Sequence, residues 1–273
     1  RLYSPNIQTG NTLSANSFFA LPNRVAFGLN VSYNSKSNDY FEPRVAGRFV
    51  VFEPSLGGNA FVSSDFRKKF AFNIGVGHRT RFNDPQRNMF FDFSPRYRFS
   101  DRFFVRLETN LSQRNREFGF VNLVDDAIVF GQRNITNIEN AVSASFNFDA
   151  YKAINLRFRN FWSTADYTAN NFTQLNENGT RDPIDYNLED LDPNTNFNIW
   201  NLDLSFRWRF APGSEAALLY RNQIFNQDNF STLNYSESLG NLFEQPISNT
   251  FSLRITYFID YNNVSYWFDR GGS

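Results

Sequence analysis

Between residues 198 and 222 the chain reads NIWNLDLSFRWRFAPGSEAALLYRN. Trp200, Leu202, Leu204, Phe206, Trp208 and Phe210 take every second position, with Asn201, Asp203, Ser205, Arg207 and Arg209 between them. Successive side chains on a strand point to opposite faces, so this alternation predicts a strand with one apolar and one polar face. The same rhythm recurs along the chain. Phe70, Phe72, Ile74 and Val76 alternate with Ala71, Asn73, Gly75 and Gly77, and Phe251, Leu253, Ile255 and Tyr257 oppose Ser252, Arg254 and Thr256. Eleven strands are expected, at about 11–20, 24–34, 56–64, 68–79, 87–99, 102–113, 134–148, 152–164, 197–210, 214–226 and 249–260. No long window carries helical spacing.

The connections alternate in length. Residues 63–68, 99–102, 148–151 and 210–214 are short and turn-like, whereas roughly 34–44, 80–87, 113–134, 165–196 and 226–248 are long and polar. An antiparallel meander produces this when its two ends face different compartments. The runs of about 10 to 13 residues exceed the usual 5 to 6 of globular sheets. They match the roughly 9 to 11 residues of a tilted membrane-crossing strand. Only helices and closed barrels satisfy their backbone hydrogen bonds in hydrocarbon.

The expected fold is therefore all-β: an antiparallel up-and-down transmembrane β-barrel of about twelve strands, with short periplasmic turns and long extracellular loops. It occupies residues 1–262 and is followed by a tail, 263–273. Since single-chain bacterial barrels have even strand numbers, three readings stay open. Residues 1–9 supply a twelfth strand, or 44–52 pair separately, or the chain is the C-terminal part of a larger barrel.

Composition sharpens this picture. The chain holds 34 Phe, yet its mean hydropathy is −0.49, because Asn, Ser and Arg interleave with the aromatics. Lys+Arg and Asp+Glu both number 27, so charge gives no reason to expect a nucleic-acid partner. The absence of cysteine excludes disulfides and thiolate metal sites. No run approaches a membrane-spanning helix, and RLYSPNIQTG at the start lacks the apolar core of a secretory leader.

Several segments resemble a known family. SSDFRKKFAFNIGVG (63–77), FVNLVDDAIVFGQRNITNIENAVSASFNF (120–148), FNIWNLDLSFRWRFAPGSEAALLYRN (197–222) and NTFSLRITYFIDYN (249–262) look like the C-terminal barrel region of a large Bacteroidota outer-membrane family of unknown function. Its members join an N-terminal carbohydrate-binding-module-like domain to the barrel. The turn Arg209-Phe210-Ala211-Pro212-Gly213-Ser214 is the most specific match. The resemblance implies a cell-outer-membrane location and offers no catalytic motif.

Candidate chemistry concentrates on the polar face. Arg96, Arg98, Arg106, Glu108, Arg157, Arg159, Asp203, Arg207, Arg209 and Arg254 are expected to line the lumen, as is Asp260. Arginine rings select anions. The plainer reading is an ion-pair network filling a narrow lumen, because both signs occur and buried charges need partners. Tyr97, Trp162, Trp200, Trp208, Tyr220 and Tyr257 are expected as aromatics of the membrane interface. His78, the only histidine, falls by parity on the apolar face, which argues against a catalytic base, and one histidine with no HExxH motif and no cysteine argues against zinc chemistry. Loop 165–196 is acidic, with Asp166, Glu177, Asp182, Asp185, Glu189, Asp190 and Asp192 against Arg181, but fits no calcium-loop spacing.

The expected function is a non-enzymatic outer-membrane barrel acting as membrane anchor or partner subunit, linked to glycan handling at the cell surface. An Arg-lined diffusion channel is the alternative, and an outer-membrane hydrolase ranks third. The expected partners are outer-membrane lipid and lipopolysaccharide, with a protein in an outer-membrane complex beside them. No cofactor and no metal are expected.

Overall fold

The computed structural model describes residues 2–3, 6–186 and 192–259. In chain order the strands are β1 (Leu2–Tyr3), β2 (Asn6–Ile7), β3 (Thr12–Ala20), β4 (Ala26–Asn34), β5 (Ser37–Asp39), β6 (Val50–Phe52), β7 (Ser55–Ser63) and β8 (Phe70–Arg81). There follow β9 (Arg87–Arg98), β10 (Phe103–Val124), β11 (Ala127–Asn147), β12 (Lys152–Leu175), β13 (Arg181–Ile184), β14 (Thr195–Ala211) and β15 (Ser214–Asp228). Helix α1 (Tyr235–Phe243) precedes β16 (Ile247–Thr256). The expected tail, 263–273, lies outside the described residues, as do Asp260, Glu189 and Asp190.

One antiparallel sheet of twelve strands dominates, in the order β16-β15-β14-β12-β11-β10-β9-β8-β7-β4-β3, with β13 paired to β12. Every neighbour on the main path is a sequence neighbour or is separated only by short loop-borne strands (β5 and β6, or β13) or by α1, so the sheet is an up-and-down meander. Its all-β, antiparallel character is as the alternation predicts. Closure is not seen: among the described residues no ladder joins β3 to β16, and both edge strands are exposed along nearly their whole length. Among the described residues of 1–9, β1 and β2 form a separate hairpin rather than a twelfth strand of this sheet. Residues 50–52 pair with 37–39 in another two-stranded ribbon.

The long-loop end departs most from expectation. Segment 113–134 is not a polar loop. It continues β10 and β11 to a tight turn at Asp125-Asp126, both at positive φ (46° and 66°), the backbone of a two-residue hairpin. β-bulges between Arg114 and Glu117 and between Phe120 and Asn122 absorb the extra residues. Segment 165–196 likewise begins as a continuation of β12, and β13 folds back on it. Segment 226–248 contains α1, closed by a capping box in which the Asn234 side chain accepts from the Glu237 N–H while the Glu237 carboxylate accepts from the Asn234 N–H.

The sheet buries little of its apolar face. Leu29, Val76, Leu218 and Leu253 are 53%, 48%, 47% and 65% exposed. The two apolar clusters lie instead among the elements of the long-loop end. Val50, Ile128, Phe130 and Leu175 pack with Phe52, Phe118 and Phe120; Val129, Tyr167 and Phe172 pack with Ile184 and Tyr186. The apolar face of β9, extended by Phe99 just past its end, runs from Met89 to Phe99, about 33 Å along the chain, or about 25 Å in height at a 40° tilt. At the long-loop end this face turns polar beyond Met89, along the cross-strand row Gln113, Thr136, Thr164 and Asn196, with His78 opposite Met89 on β8.

Candidate polar face and its charge network

Register brings the expected lining residues onto a single face. One cross-strand row runs Ala71, Arg96, Arg106, Ser143, Arg157, Asp203, Arg221 and Thr250, each the direct partner of the next. The next row carries Glu108, Ala141, Arg159, Asn201 and Gln223, and another carries Ala153, Arg207, Ala217 and Arg254. The placement follows from the pleat: alternate residues of one strand share a face, and residues directly opposite on paired strands share it too.

Arg96 and Arg106 face each other directly, which costs energy between like charges. They splay apart. Arg96 turns to the ring of Phe66, 5.0 Å from its centroid, and donates to the Phe66 carbonyl, while Arg106 pairs with Glu108 at 2.8 Å. Arg98 donates to the Arg67 carbonyl. Arg159 meets Glu139 at 2.6 Å and lies over Phe161. Asp203 accepts two hydrogen bonds from Arg221, at 2.7 and 2.9 Å. Glu215 stands between Arg207 (3.5 Å) and Arg254 (3.8 Å). Arg157 and Arg209 make no ion pair among the described residues; Arg209 instead lines a cleft of about 740 Å³ with Trp208 and Pro212 at the short-turn end. Glu139, Glu215 and Arg221 complete the network and were not singled out from the sequence, although their odd parity on β11 and β15 marks the face they share.

The expected interface aromatics divide. Tyr97, Trp208 and Tyr257 are exposed on the apolar face. Tyr220 packs against Phe251 and donates to Asn249 at 2.8 Å. Trp200 is partly covered, between Phe158 and the α1 residue Phe243. Trp162 departs from the expectation: it is 5% exposed, its ring faces Tyr235 and its indole N–H donates to Asn196. The sequence carries no sign that α1 would cover this end of the apolar face. His78 projects on the apolar face beside Met89, away from the charge network.

The chain matches, over residues 1–268, the family model described as Domain of unknown function (DUF5916). The chain belongs to that family. No curated protein matches it.

A second charged assembly in this DUF5916 chain sits at the long-loop end. Arg133, largely buried, meets Glu117 at 3.2 Å and Glu42 at 3.7 Å and donates to the Tyr167 hydroxyl at 2.8 Å. Burial alone would lower the pKa of its guanidinium, but Tyr167 and Glu117 outweigh burial and move it upward. Arg181 lies between the rings of Phe118 and Phe130 with Asp84 at 3.9 Å, and burial lowers its pKa. Arg81 stacks on Phe52 and donates to Gln86, and burial likewise lowers its pKa. Among the described residues no cluster of three metal-ligating side chains occurs.

Proposed function

We propose that this protein is a non-enzymatic barrel wall of the bacterial outer membrane, an anchor or partner subunit for surface components, glycan handling among them. The carrying observation is a twelve-stranded sheet whose apolar face, among the described residues, has no covering layer except at α1, while both apolar clusters lie at the long-loop end. A sheet buries one face against something. Exposed apolar patches on soluble monomers reach only about 300–600 Å², and a belt about 25 Å tall across eleven strands exceeds that many times over. Acyl chains are the covering that fits, with the polar face turned to the lumen. Arg106, Arg159, Arg207, Arg221 and Arg254 on that face each meet a carboxylate, which favours a largely paired lining over an anion filter.

Eleven alternating strands leave β3 and β16 running in the same direction. Joining them directly makes one parallel junction, so an antiparallel closure takes an odd number of further strands.

The test is flotation with lipid vesicles after refolding, followed by planar-bilayer recording. Co-flotation with no steady current is expected. A chain that stays monodisperse without detergent overturns the membrane reading. A steady current whose ion preference shifts on Arg207→Glu replaces the anchor with a channel, and lipase or protease activity lost on His78→Ala replaces it with a hydrolase.

A further inference from the structure

Arg79 and Arg81 follow each other on the polar face of β8 at its long-loop end, and both line a cleft of about 360 Å³. Neither has a carboxylate within ion-pair distance among the described residues, in contrast to Arg106, Arg159 and Arg221 in the middle of the sheet. The Arg79 guanidinium lies over Gly57, its cross-strand partner, where any β-carbon would come within 2.8 Å of it. From there it donates to the hydroxyls of Ser55 (3.0 Å) and Ser32 (2.7 Å). Two of its five N–H groups are thereby used, and three remain. Arg81 donates to the Gln86 side chain and the Glu53 carbonyl. The other walls are small and polar: Thr12, Asn34 and Ser35, which bond to one another's strands and to Ser55. Glu53 contributes the one carboxylate of the lining, and Lys36 holds it at 3.0 Å.

We infer that this cleft is an oxyanion-binding site in which Arg79 and Arg81 hold a carboxylate, sulfate or phosphate group of a small solute. Arg79 and Arg81 repel each other, a repulsion that Asp84, Glu117 and Asp39 offset in part at Arg81, and both retain donors beyond those that these hydrogen bonds use; an oxyanion relieves both deficits at once. The serine and threonine hydroxyls and the Asn34 amide offer secondary hydrogen bonds to whatever carries the anion. The site stands on the local geometry of β3, β4, β7 and β8 and does not depend on the membrane reading, so flotation and anion binding fail separately.

The experiment is calorimetric titration of the whole detergent-solubilised chain with acetate, glucuronate, sulfate and inorganic phosphate at matched ionic strength, with chloride as the screening control. Saturable binding of at least one oxyanion is expected, weakened about tenfold or more by Arg79→Gln and by Arg81→Gln. The ranking of acetate and glucuronate against sulfate and phosphate identifies the anion class. Should Arg79→Gln fail to fold, Arg79→Lys and Ser55→Ala retain the charge and disturb only the hydrogen-bond geometry, and a severalfold loss is expected from each. Responses equal to that of chloride, or affinities unchanged in every variant, overturn the assignment.

Discussion

The indole N–H of Trp162 donates to the side-chain oxygen of Asn196 at 2.9 Å, in a pocket roofed by α1. Ser238 of the helix donates to the same oxygen at 3.0 Å, and Asn198 donates to Ser238. Asn160, fully buried, donates to Asn198 and accepts from Tyr235. An otherwise apolar sheet face thus ends in a row of amides, and the helix that covers it supplies the complementary groups. Buried amides left without partners cost about 1–3 kcal/mol each, so helix and amide row depend on each other.

Asn196→Leu removes the acceptor shared by Trp162 and Ser238. The expected outcome is a loss of about 1–3 kcal/mol in the local stability of α1. Amide hydrogen exchange across 235–243 should accelerate while the protection of β8–β10 stays unchanged. Equal acceleration in both regions would show that α1 is not a separately stabilised cover.

Leu204 and Ser205 are neighbours on β14 that face opposite sides, Leu204 opposite Leu156 and Tyr220, Ser205 opposite Asn155 and Leu219. If acyl chains cover the apolar face, Leu204→Arg destabilises the inserted protein by about 2–4 kcal/mol, whereas Ser205→Arg is tolerated within about 1 kcal/mol. Urea unfolding in vesicles distinguishes the two. Similar costs for both substitutions would remove the asymmetry on which the membrane reading stands.

Asp65 sits in the short turn before β8. Its carboxylate accepts from the side chain of Arg67, at 3.0 and 2.7 Å, and from the Arg67 backbone N–H at 3.0 Å. The side-chain bonds first, and the backbone bond second, hold its pKa well below the ordinary 3.8. A depressed folded pKa contributes stability that is complete above the unfolded value and is lost as pH falls through the folded one. Thermal unfolding from pH 7 to pH 3 should show a constant gap between the wild type and Asp65→Asn down to about pH 5, narrowing below about pH 4. A gap that widens on acidification would refute the pairing.

With no cysteine in the chain, cross-linking reports on the sheet edges without background. Asn16 and Asn30 are direct partners on β3 and β4, so cysteines there should form a disulfide. Cysteines at Asn16 and Ser252, on the two edge strands, should not. A disulfide in the second pair would show that β3 and β16 join directly.

How much of this was legible in the sequence differs from element to element. The strands and their faces were: observed β14, Thr195–Ala211, covers the expected 197–210, and β8, Phe70–Arg81, lies close to the expected 68–79. Parity placed Arg157, Asp203 and Arg207 on one side because a strand has a rigid two-residue period. The extension of β10 and β11 through 113–134 was hidden because bulges at Arg114–Glu117 and Phe120–Asn122 break that period. α1 was hidden because nine residues are too few to stand out, and its stability comes from contact with β14 and β15.

By itself the sequence determined which residues share a face, since that depends only on counting along a pleated backbone. The tertiary structure alone decided which charges meet: Glu215 between Arg207 and Arg254, and Arg79 over Gly57 without an acid. Register, loop return and the approach of strands distant in sequence bring those groups together. Each is a non-local outcome of packing that no local period encodes.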